Sequence, residues 1–96
     1  MGHSNYEFLK MAQAEGVPAN IAQRIYNYVE HGELADLALC CIIANDLGMY
    51  SAHSRPELDE HLWPIVRFVN QCMPDSIRGS WENSKRHRED KELANV

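Results

Sequence analysis

Apolar residues recur along this chain at helical spacing, and polar breakers divide them into separate runs. Ser4 and Glu7 form an S-x-x-E capping pattern ahead of Tyr6, Phe8, Leu9 and Met11, and Gly16 is placed to close that helix in a left-handed conformation. Pro18 suits the first position of a second helix, where its missing N–H would be unpaired anyway. Ile21, Ile25, Tyr28 and Val29 then share one helical face, Gln23, Arg24, Asn27 and Glu30 lie opposite, and Gly32 ends the run.

The segment from Leu34 to Leu47 is apolar almost all round, with Asp36 near its start and Asn45 and Asp46 near its end. A helix without a polar face is one enclosed by other elements, so this stretch is predicted to be the central helix. Residues 48–56 are expected to form a loop, with Ser54 and Glu57 as a second capping pattern. A long stripe follows through Leu58, Leu62, Ile65, Val66, Phe68, Val69, Cys72 and Met73, and Pro64 is expected to kink or split it near Leu62–Trp63. Pro74 stops it, and Gly79-Ser80 opens a last helix with Ser80 as N-cap. That helix, Trp81 to Ala94, is highly charged and has little to bury beyond Trp81, so its far end is expected to fray. The pattern predicts an all-α fold: residues 1–96 as one compact bundle of four to five helices around the helix at about 34–47, with 84–96 as a charged C-terminal helix.

Charge narrows the function classes. The net charge is −5, and residues 1–54 carry six acids against two bases while residues 55–96 carry eight against seven. An acidic surface repels phosphate backbones, which argues against direct nucleic-acid binding. Lys85-Arg86-His87-Arg88 is the one basic run, and Glu82, Glu89, Asp90 and Glu92 interleave with it. A small regulatory protein touching DNA through that run is the alternative reading.

The chain has three cysteines, Cys40, Cys41 and Cys72, an odd number without the spacing of a secreted disulfide framework. They read as small core hydrophobes of a reducing compartment, and their apolar setting is wrong for an activated thiolate. His31, His53 and His61 fit no zinc-ligand spacing, so no metal or other cofactor is expected. No phosphate loop or hydrolase motif is present, and no apolar run is long enough to span a membrane. A soluble, non-enzymatic protein of the cytoplasm is the expectation.

The features left to carry function are acidic and aromatic. Glu30, Glu33 and Asp36 gather at the turn before the central helix, and Asp46 lies at that helix's far end. Glu33 and Asp36 also complement the positive N-terminal end of a helix. With Tyr50 and Trp81, and with Tyr6 and Tyr26 as further surface aromatics, they form the candidate interface for a basic protein partner. A homodimer is a second expected association, because so short a chain is hard pressed to cover an all-apolar helix by itself.

Tyr28-Val29-Glu30-His31-Gly32, Ile43-Ala44-Asn45-Asp46-Leu47, Ile65-Val66-Arg67-Phe68-Val69-Asn70 with Pro74, and Gly79-Ser80-Trp81-Glu82-Asn83 follow one order and spacing. This layout, over residues 26–83, resembles a group of small phage and prophage proteins with no assigned biochemical role. The chain departs from them after Gly32, where they often carry a Pro-Gly-Gly-type turn and this one has Glu33-Leu34-Ala35-Asp36. The resemblance implies a phage origin and, by analogy, the occlusion of a host protein in the host cytoplasm, with anti-CRISPR-like inhibition of a defence complex as one form.

Overall fold

The computed structural model describes residues 5–33 and 36–94. Among them the chain is all-helical, with seven α-helices, one short 3-10 helix and no strand. Helix α1 (Asn5–Glu15) buries Phe8 and Ala12. Gly16, at φ +89°, ends it, and Val17 donates back to the Ala12 carbonyl at 2.9 Å. Pro18 occupies the N-cap of α2 (Ala19–His31), one place before the expected first helical position. Ile21, Ala22, Ile25 and Tyr28 are the buried face of α2, as the periodicity predicts. Gly32 closes this helix in the left-handed region.

The apolar rod is shorter than its hydrophobic run. Helix α3 spans only Leu37–Ile43, and Ala38 through Ala44 are all buried. Asn45 turns to φ +60°, a conformation asparagine tolerates better than most residues, and Asp46 restarts the chain by accepting the Met49 N–H at 3.0 Å. The result is a second short helix, α4 (Leu47–His53), packed beside α3 where a loop was expected. The expected start at Leu34, like Ser4 of the first capping pattern, lies outside the described residues. One chain encloses Ala38–Ala44, while Leu37 and Leu47, towards the ends of the expected run, stay exposed.

The Ser54–Glu57 capping box does not form. Ser54 ends α4, Arg55 is the N-cap of α5 (Pro56–Asp59), and Pro56 takes the first helical position. The break tied to Pro64 comes two residues earlier than expected, at Glu60–His61, and α6 (Leu62–Cys72) starts afresh with Pro64 in its first turn. There the proline lacks only a donor that had no partner, whereas a continuous helix would press its ring on the Glu60 carbonyl. Ile65, Phe68 and Val69 face inward from α6. Phe8 meets Phe68 edge-on at 5.0 Å, while Gly16 at the far end of α1 lies against Pro64 in the first turn of α6, so the two helices run in opposed directions.

A 3-10 turn (Asp75–Ile77) leads to α7 (Trp81–Ala94), with Ser80 accepting the Asn83 N–H at 3.0 Å as the expected N-cap. Contrary to expectation, α7 buries more than its first residue: Ser84 and His87 are enclosed against the bundle. His87 Nε2–H donates to the Tyr28 carbonyl at 2.8 Å, and the two rings lie 4.8 Å apart. The Tyr28 hydroxyl donates to the Ile77 carbonyl at 2.6 Å, so one residue of α2 holds both ends of this segment. Among the described residues no helix is long and apolar enough to cross a membrane.

Helix α7 passes close against Gly32 at the end of α2. A Cβ there would stand 2.8 Å from Lys91 Cβ and 3.3 Å from Arg88 Cα, at a φ of +69°. Gly32→Ala is therefore expected to destabilise the fold by about 1–3 kcal/mol, through left-handed strain and the displaced helix, in a denaturant titration followed by circular dichroism. His87→Ala should cost a similar amount, about 1–3 kcal/mol.

Candidate functional site

The six residues of the expected interface divide into two groups. Asp36 is the N-cap of α3: its Oδ1 accepts the Ala38 N–H at 3.1 Å and the Leu39 N–H at 3.4 Å. Its Oδ2 accepts from Arg24 at 3.1 Å and from Arg55, and Arg24 also reaches Glu57 at 3.1 Å. Two guanidinium groups and two carboxylates thus tie α2, the start of α3 and the start of α5 together. Only 10% of the Asp36 side chain is exposed, which leaves it little surface for a partner.

Asp46 caps α4 and accepts the Trp81 indole N–H at 2.6 Å, joining α4 to the start of α7. The Trp81 hydrogen bond, then the Met49 N–H, holds its carboxyl below the usual carboxylate range. The Trp81 ring is half-buried and packs against the core. Tyr50, expected at the surface, is buried, and its hydroxyl donates to Asp59 Oδ1 at 2.7 Å. Burial first, and the adjoining carboxylate second, push that phenol well above its ordinary range. Asp36, Asp46, Tyr50 and Trp81 are therefore joints of the scaffold.

Glu30 and Glu33 stay at the end of α2, half-buried and exposed respectively. Glu33 lines an open cleft of about 560 Å³ between that end and α7, which lends it Lys85, Arg88, Glu89 and Glu92. The cleft carries both signs of charge. The basic run of the DNA-binding alternative is dispersed by the same helix: His87 is buried, and Arg86 donates to the Ser76 carbonyl at 3.2 Å and to Asn83 Oδ1 at 2.6 Å. Lys85 and Arg88 sit beside carboxylates in the cleft.

Groups capable of covalent chemistry are turned inward. Cys40 and Cys41 are buried, Cys72 is half-buried, and all three are free thiols. Burial pushes Cys40 up to about 11 and Cys72 up to about 12, and raises Cys41 as well. Among the described residues no group of three His, Cys, Asp or Glu side chains could hold a metal ion.

What the surface offers instead is apolar. Tyr6, Leu37, Leu47, Met49, Trp63 and Leu93 are exposed, and the Lys10 ammonium lies 5.2 Å above the Tyr6 ring. Sequence reasoning overlooks Trp63, although a signal is present. It falls off the buried stripe of α6 and shares a face with Arg67 and Asn70 at i+4 and i+7.

The raised thiols give a two-part expectation. A disulfide reagent at about pH 8 should leave the native protein unlabelled over minutes and label all three cysteines once it is unfolded. The folded state favours the neutral thiol, so this contribution to stability is whole below the ordinary value of 9.0 and is lost as pH rises through about 11 for Cys40 and about 12 for Cys72. Denaturant midpoints should accordingly fall above about pH 9, and a Cys40→Ala, Cys72→Ala double variant should show less of that fall.

Comparison with protein-family models, with curated proteins and with solved structures returns no match to this chain.

Proposed function

We propose that this chain is a phage-encoded binding protein without catalytic activity, which occludes or redirects a protein of its bacterial host. A defence complex is the favoured target class, in the manner of an anti-CRISPR. The observation that supports this reading is the division of chemistry between inside and outside. The thiols and the aromatic N–H and O–H groups of Tyr28, Tyr50 and Trp81 are committed to the interior, while six large apolar side chains stand in solvent. Binding through a surface needs no activated group, only side chains that gain by being covered. The phage origin rests on the sequence resemblance, and the defence target on analogy with small acidic phage proteins.

The test is an affinity capture from bacterial lysate with the folded protein as bait. A host protein recovered in stoichiometric amount, and lost when the exposed apolar residues are replaced by serine, is the expected result. Recovery of no stoichiometric partner from susceptible hosts would remove the reading.

A further inference from the structure

The two indoles of this chain are used in opposite ways. Trp81 spends its N–H on Asp46 and packs its ring on the core. Trp63, in the first turn of α6, is 62% exposed, and among the described residues its ring and its N–H have no partner. Arg67, one turn further along the same face, could have covered that ring, but its guanidinium is drawn across to Glu15 on α1 at 3.4 Å. An indole left bare in this way is the side chain most often found at the energetic centre of a protein interface.

The charge around Trp63 has one sign. Asp59 ends α5 and Glu60 opens the turn that leads into α6, three to four residues before the indole. Glu60 is 75% exposed, and the His61 imidazole lies 3.7 Å from its carboxylate. Asp59 accepts the Tyr50 hydroxyl and is itself exposed. Arg67, the base on the same face of α6, is already paired with Glu15. The uncommitted charge beside Trp63 is therefore negative.

We infer that Trp63, with Glu60 and Asp59, is the docking surface for an arginine-bearing segment of a protein partner. A planar, weakly hydrated guanidinium stacks on the face of an indole and pairs with a carboxylate at its edge, which a strongly hydrated ammonium does less well. The same acids repel phosphate, so the surface suits a basic polypeptide and not a nucleic acid. The inference rests on the binding role proposed above and names the partner's chemistry at one place on the surface.

The test follows the two indole N–H signals by nuclear magnetic resonance while a short oligo-arginine peptide is added at about 150 mM salt, with oligo-lysine and oligo-glutamate of equal length for comparison. Saturable movement of the Trp63 signal, with Trp81 unmoved and with oligo-lysine weaker, is expected. Trp63→Ala and Glu60→Gln should each weaken binding roughly three- to tenfold, and Glu82→Gln on α7 should not. Each substituted side chain is exposed, and an unchanged melting temperature verifies the fold. An unmoved Trp63 signal, equal binding by Trp63→Ala, or an equal response to oligo-lysine would overturn the inference. In the lysate capture, a host partner held equally well by Trp63→Ala would overturn this surface while leaving the binding role standing. No partner for either protein would remove both.

Discussion

Seven consecutive residues, Ala38 to Ala44, are withdrawn from water, and the helix that carries most of them is barely two turns long. A helix that short has hardly any backbone group outside its terminal turns, so nearly all its peptide N–H and C=O groups need partners near its ends. Inside an apolar enclosure water cannot supply them, and the chain must bring polar groups to both ends. Asp36 serves the N-terminal end. At the other end the Gly79 N–H reaches the Ile43 carbonyl at 2.9 Å, and the Asp46 N–H reaches the Cys41 carbonyl at 2.8 Å. These requirements draw the α2–α3 connection, the α3–α4 turn and the α6–α7 connection onto one short rod.

The acidic residues acquire their positions from the same demand. Helices α4 and α5 each bury a single side chain, Tyr50 and Leu58, too little apolar surface to hold them in place. Polar ties make up the difference: Tyr50 to Asp59, Asp46 to Trp81, and the Arg24–Asp36–Arg55–Glu57 cluster. An exposed ion pair contributes roughly 0–1 kcal/mol and a helix cap about 1 kcal/mol, so no single tie is decisive and their number is what holds the outer helices. Asp36 and Asp46, engaged in this way, are lost to a partner, whereas Asp59 accepts one hydroxyl and stays exposed. The surface charge that matters for recognition is what the scaffold leaves over, and Glu60, three residues before Trp63, is part of it.

The parts of the fold that are legible in the sequence are those with a period or a stop. Helices α1, α2 and α6 show apolar faces, and Gly16, Gly32 and Ser80 mark ends and starts where the structure has them. The split of the apolar run is illegible for a specific reason: Asn45-Asp46 reads equally as the polar end of one helix or as a turn plus the cap of the next. Helix α4 buries one residue in seven, so it shows no periodicity at all. Burial of His87 is hidden because α7 docks through polar contacts to Tyr28 and has no apolar stripe to reveal a packed face. For the candidate site, sequence chemistry cannot tell a carboxylate that caps a helix from one that awaits a partner, and Asp36 and Asp46 are caps. Trp63 is the reverse case, since its place off the stripe already marks it as an outward-facing aromatic.

The light anchoring of α4 has a practical side. Everything it contributes to the interior enters through Tyr50 and the Asp46 cap, while Gly48, Ser51, Ala52 and His53 project into solvent. Such a segment opens locally at little cost to the global fold, and its outward positions tolerate rewriting. Ala52 and His53 are accordingly the places to attach a dye, an epitope or a crosslinker, on an element separate from α6 and its bare indole.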